Sequence, residues 1–122
     1  GVNHVREHYD PTAHAEVEAI RDACQHVGTP HLQGMALLAS GEPCAMCYLS
    51  ALYAGISYLF FAVDRHEAAT HGFDYRDSYL LLANDPLVWS SPVVSKLPVL
   101  ECIQPFLAFR SEGKYHKVPA LE

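Results

Sequence analysis

Basic side chains are scarce: eight Lys and Arg stand against fourteen Asp and Glu in 122 residues, a formal net charge of −6. Proteins that grip a nucleic-acid backbone use clustered Lys and Arg to displace counterions from phosphates. The eight here are scattered, which excludes a long nucleic-acid track, though not a short loop, and favours a small-molecule substrate. Long apolar runs are also missing. No stretch nears the roughly 20 residues that a membrane-spanning helix requires, and no secretion-signal pattern is visible. Cysteine stops at four, and two of these, Cys44 and Cys47, have metal-ligand spacing, so a reducing cytoplasm is expected instead of a disulfide framework. Repeats and low-complexity stretches are absent. Half of the residues are apolar and 18% are charged, which reads as a soluble globular chain. The length predicts one domain over residues 1–122 with a single core.

What is present is an alternation of helix and strand signals. Asp10 reads as a helix cap with Pro11 at the first helical position. Ala15, Val17, Ala19, Ile20 and Ala23 then form an apolar face up to about Val27, and Gly28 ends the helix. Residues 35–39 form a short apolar run that suits a buried strand, and Glu42-Pro43 opens a second helix through about Ala54. Residues 57–63, SYLFFAV, are aromatic or branched almost throughout, the pattern of a strand covered on both faces. This order predicts parallel strands joined by right-handed crossovers, an α/β layered architecture with sites at strand ends. Farther on, Gly72 marks a turn, residues 78–83 a short helix, residues 93–97 a last strand, and residues 99–110 a last helix disturbed by Pro105.

Cys44 and Cys47 lie three apart at the start of the second predicted helix, so both thiols leave one face. The positive end of the helix dipole favours the thiolates that bind metal. His14, near the start of the first helix, completes a Cys/Cys/His set if both helices flank one strand end. Three protein ligands leave tetrahedral zinc one open position for water, whose pKa falls from about 16 toward about 7. Glu16 follows His14 by two residues and reaches the same cleft without touching the metal, placing a carboxylate that can take and return protons. Each residue taken singly has a plainer reading. A lone His or Glu at a helix start caps it or complements its dipole. Cys44 and Cys47 alone also describe a thioredoxin-type redox pair. A structural zinc would recruit Cys24, His26 or His31 as a fourth ligand. Cys24 and Cys102 read as ordinary buried thiols.

His14-Ala15-Glu16 followed by Pro43-Cys44-Ala45-Met46-Cys47 resembles the zinc deaminase signature His-x-Glu…Pro-Cys-x-x-Cys. The longer strings DPTAHAE (10–16) and EPCAMC (42–47) resemble the purine-acting branch of the cytidine/deoxycytidylate deaminase superfamily, which includes guanine deaminases and tRNA adenosine deaminases. Gly72-Phe73-Asp74 and residues 105–110, PFLAFR, resemble guanine deaminases in particular, and the resemblance runs over nearly the whole chain.

The resemblance implies a three-layer α/β/α, cytidine-deaminase-like fold with a mostly parallel mixed sheet. It implies one Zn2+ per chain with a bound water or hydroxide, held by His14, Cys44 and Cys47, and Glu16 as the proton carrier. The implied reaction is hydrolytic deamination of a purine base, guanine to xanthine plus ammonia. A tRNA adenosine deaminase and a non-catalytic zinc or redox module stand as alternatives. Asn3 falls where the family holds the base by an amide, and Phe73 is placed to stack on it. Asp74 matches an acidic residue near the substrate, but Tyr75-Arg76 reads as an insertion that would pass this role to Asp77. Tyr115 is the expected lid aromatic, on a C-terminal segment exchanged between the subunits of a homodimer. The family also places a helix and a two-strand hairpin, roughly forty residues of an ordinary domain, before the His-Ala-Glu helix. This chain opens near the end of that hairpin. It is therefore expected to be part of a longer protein, or to have its first strands supplied elsewhere, with an apolar edge left on the strand at 35–39.

Overall fold

A computed structural model describes residues 1–113. The helices are α1 (Val5–His8), α2 (Ala15–Val27), α3 (Ala45–Tyr53), α4 (Arg65–Thr70) and α5 (Gln104–Ser111), and the strands are β1 (Ala36–Gly41) and β2 (Tyr58–Val63). Single 3-10 turns occupy Arg76–Tyr79, Leu81–Ala83 and Pro86–Val88. Internal contacts divide the chain into two compact units, Gly1–Leu81 and Leu82–Glu122. Among the described residues, no helix is long and apolar enough to cross a membrane.

In the first unit β1 and β2 pair in parallel, Leu38 opposite Phe60 and Gly41 opposite Val63, with α3 as the crossover. The Glu42 N–H donates to the Val63 carbonyl at 2.7 Å and extends the ladder to the doorstep of α3. α2 packs against α3. The core is small and made of Ala13, Leu32, Leu37, Cys47, Ala51 and Ala54. Burying a Leu such as Leu32 contributes about 2–3 kcal/mol.

α2 begins later than the sequence suggests. Asp10 accepts from the backbone N–H and hydroxyl of Thr12 at 2.9 and 2.6 Å, so it closes a local turn instead of capping the helix. His14, in an extended conformation, becomes the N-terminal flanking residue. At the other end Gly28 takes φ 75° and returns its N–H to the Cys24 carbonyl, a left-handed closure that suits glycine.

β2 forms where expected, but it is not covered on both faces: Phe60 is 56% exposed, and Tyr58, Phe61 and Val63 are also exposed. Side-chain shape settles strand identity, whereas cover depends on a second layer that these residues do not receive in this unit. β1 has no neighbour on its other edge among the described residues, and Leu38 there is 76% exposed. α4 went unread, although Asp64 and Glu67 form a reciprocal capping box.

In the second unit residues 93–97 form no strand. Prolines stand at 92 and 98, lack the N–H that a ladder needs, and leave a segment without a partner strand. α5 starts at Gln104 with Pro105 in its first turn, where the missing N–H costs nothing, so the helix is shorter than expected and unbent by its proline. Cys102 is exposed and Cys24 half-buried, which corrects the expectation of two buried thiols. Cys102 lies in the turn before α5, outside any core.

Candidate active site

Two helix N-termini converge in the first unit. His14 flanks the start of α2, and Cys44, extended at φ −68° and ψ 173°, flanks the start of α3 with Cys47 in its first turn. His14 Nδ1 lies 3.6 Å from Cys44 Sγ and 3.4 Å from Cys47 Sγ, and the two sulfurs are 3.7 Å apart. Tetrahedral zinc with ordinary bond lengths would set two sulfurs about 3.8 Å apart and each about 3.6 Å from a nitrogen. The donors already stand at that spacing. A disulfide would bring the sulfurs to about 2.05 Å, and all four cysteines are free. Among the described residues no fourth His, Cys, Asp or Glu joins this group, so Cys24, His26 and His31 do not close the site.

The electrostatics agree with this geometry. The Cys44 thiol is drawn down to about 5, first by its hydrogen bond with Cys47 and then by the Cys47 and Met46 backbone N–H groups and His14, against an opposing cost of burial. Cys47 is pushed up, first by Cys44, then by burial, then by the Glu16 carboxylate against it. Glu16, the second residue of α2, therefore faces the sulfur pair.

A cleft of about 550 Å³ opens over these groups, lined by His14, Glu16 and Cys44 together with Asn3 and Phe73. That volume lies in the range for small-molecule sites. The Asn3 side-chain oxygen accepts from the Val5 N–H at 2.9 Å, which fixes the side chain at the edge of the cleft. Phe73 is 72% exposed, so its ring face is open and not part of the core. Asp74 and Asp77 are not brought to the cleft. Asp74 holds Arg76 through both oxygens at 2.9 and 2.8 Å, and Arg76 keeps its carboxyl near 2. Asp77 sits in the 3-10 turn Arg76–Tyr79. Tyr115 lies outside the described residues.

Sequence reasoning missed the scaffold behind Cys44. Glu42, only 8% exposed, accepts from the Arg65 backbone N–H, Nε and Nη2 at 2.8, 3.1 and 2.9 Å, and from the Tyr48 hydroxyl at 2.7 Å. The Arg65 guanidinium also lies 3.7 Å from the Tyr79 ring centroid. Tyr75 donates to the Glu42 carbonyl and Tyr79 to the Pro43 carbonyl, while Ser78 Oγ accepts from the Ala45 N–H at 3.3 Å. These bonds clamp residues 42–45 and so aim the Cys44 sulfur. Tyr75, read from sequence as part of an insertion, lines the cleft.

Arg65 holds the Glu42 carboxyl at about 2, well below its ordinary 4.5. A depressed carboxyl stabilises the fold fully above its unfolded value, and that contribution is lost as pH falls from about 4.5 toward 2. Glu42→Gln should therefore lower the Tm of metal-free protein at pH 6, with the gap from wild type narrowing steadily as pH falls from about 4.5 toward 2. A gap that stays constant across this range would show that the pair carries no such linkage.

The amino-terminal half, residues 1–63, matches the model of the cytidine and deoxycytidylate deaminase zinc-binding region. Guanine deaminase of Bacillus subtilis is 38% identical over 112 residues, covering 91% of this chain and 70% of that protein. The crystal structure of guanine deaminase from Bacillus subtilis superposes with a TM-score of 0.84 at 33% identity, over 96% of this chain and 74% of that one. The tRNA-specific adenosine deaminase of Aquifex aeolicus is 42% identical over 60 residues, 49% of this chain and 40% of that protein. The fold is thus cytidine-deaminase-like, α/β with a parallel sheet, and the Cys/Cys/His cluster, inside the matched zinc-binding region, offers three donors to a metal ion. Motif, donor spacing and fold agree, and the chain belongs to the cytidine and deoxycytidylate deaminase family of zinc-dependent aminohydrolases.

Proposed function

We propose that this protein hydrolyses the exocyclic amino group of a purine base, guanine to xanthine plus ammonia. The observation that carries this reading is the carboxylate of Glu16 facing the His14, Cys44 and Cys47 donors inside a cleft sized for a purine. Guanine deaminase of Bacillus subtilis matches 91% of the chain at 38% identity, and the tRNA-specific adenosine deaminase of Haemophilus influenzae 88% at 32%, so at comparable coverage the higher identity favours the guanine enzyme. A net charge of −6 also disfavours an RNA loop as substrate.

Bound to the three donors, zinc supplies the Lewis acidity that makes a water acidic enough to lose a proton near neutral pH. Glu16 would accept that proton and pass it to a ring nitrogen as the C–O bond forms, then take the remaining proton from the added hydroxyl and deliver it to the amino nitrogen as the C–N bond breaks and the carbonyl forms. Asn3 holds a polar edge of the base through its amide NH2, and the exposed face of Phe73 stacks on the ring. The four free cysteines suit a reducing cytoplasm. Pairing of two copies would give the exposed apolar side chains of β1 and β2 a covering surface.

The test is ammonia release from the zinc-loaded protein with guanine, adenine, cytosine, aminotriazines and a tRNA anticodon stem-loop. A kcat/KM for guanine at least tenfold above the others is expected. Faster deamination of the stem-loop would transfer the assignment to tRNA.

A further inference from the structure

A second cluster of metal-type donors lies outside the thiolate site. His4 and His8 are four residues apart along α1 and its N-terminal flank, a spacing that puts two side chains on one helix face. Their rings are 4.7 Å apart between centroids. Glu18 on α2 completes the group, and one donor atom from each of His4, His8 and Glu18 lies within 4.8 Å of the others. His4 Nδ1 stands 3.4 Å from Glu18 Oε2, the separation that two tetrahedral ligands about 2.1 Å from an ion would have. Glu18 is held from behind by Arg21 through its other oxygen. The opposite ring nitrogen of His4, Nε2, lies 3.7 Å from the Glu7 carboxylate. A metal-ligating histidine is ordinarily oriented in this way, with its second nitrogen directed at a carboxylate. None of these residues takes part in the deamination chemistry.

We propose that His4, His8 and Glu18 form a second site for a first-row divalent cation of the Zn2+ or Ni2+ type, oriented by Glu7. Two imidazoles and one carboxylate suit these borderline ions better than Mg2+ or Ca2+, which prefer all-oxygen ligands. The site bridges α1 to α2. The His4 N–H donates to the Ala13 carbonyl at 2.9 Å, and Asn3, the preceding residue, lines the cleft. An ion here therefore pins the segment that carries Asn3.

The test is equilibrium dialysis of untagged protein against Zn2+ with elemental analysis, paired with Co2+ titration followed by absorbance. Wild type should bind two ions per chain. With Co2+ the near-ultraviolet thiolate charge-transfer band should saturate at one equivalent, while the second adds only weak visible bands. His8→Asn alters an exposed residue, so the first equivalent and its thiolate band should be kept while affinity for the second ion falls at least tenfold. Glu7→Gln should weaken the second ion by about tenfold. A wild type that stops at one equivalent, or a His8→Asn protein that binds the second ion with unchanged affinity, would overturn the proposal. Both readouts are independent of turnover, so failure here leaves the deaminase reading untouched.

Discussion

Glu16→Gln is expected to lower kcat for ammonia release by about 10²- to 10⁴-fold, the range that positioned general acid–base groups contribute. The amide keeps the size and shape of the carboxylate but cannot accept and return a proton. Glu16 is not among the three donors, so zinc bound by His14, Cys44 and Cys47 should be unchanged, as reported by the cobalt thiolate band. Loss of a negative charge in the first turn of α2 costs about 0.3–1 kcal/mol at most, so the Tm should move by only a few degrees. KM should change little if Asn3 and Phe73 carry the binding. A zinc-stabilised module without activity, or a redox pair, would not respond to this substitution. Turnover within a factor of ten of wild type would remove Glu16 from the proton-transfer role.

The chemistry was legible because it is local. Cys44 and Cys47 are separated by two residues, a spacing that helix geometry turns into one shared face, and His14 and Glu16 by one, where the extended His14 and the helical Glu16 straddle the start of α2 and both line the cleft. β2 was legible for a related reason, since six successive apolar residues, YLFFAV, have few other uses. What failed depended on partners distant in sequence or on competition between nearby turns. Asp10 and Pro11 looked like a helix start, but Thr12 offered Asp10 two donors and a turn formed instead. The Val93 segment had strand composition and no strand beside it.

The substrate-side reading divides along the same line. Asn3 and Phe73 reach the cleft, carried by short segments that lie next to motif elements. For Asp74 and Asp77, between which the resemblance left the substrate acid open, the structure places Asp74 in a two-oxygen pair with Arg76 and Asp77 in the turn that follows. The Glu42–Arg65 pair spans 23 residues, and Tyr75 and Tyr79 lie more than thirty residues from the carbonyls they hold. No periodicity in a single sequence links such positions. Only Glu42 could be noticed, as part of EPCAMC, and there it reads as a helix opener and not as a buried anion.

Removing one sulfur should have the second large effect. Cys47→Ala leaves His14 and Cys44 with two of three donors and no replacement in the cluster, so zinc binding, the cobalt thiolate band and ammonia release should all disappear together. Stability should follow by mass action, because an ion that binds only the folded chain stabilises it by about 4 kcal/mol at a thousand times its Kd. For a chain of this size that corresponds to a Tm lower by roughly 10–20 °C than zinc-loaded wild type. Chelation of wild type should produce nearly the same drop, since Cys47→Ala itself deletes a single buried heavy atom. The comparison of the two metal-free proteins is therefore decisive. If they melt within a few degrees of each other, the loss belongs to the metal; if the variant still binds zinc with wild-type affinity, Cys47 is a core residue and the metal centre must be built from other side chains.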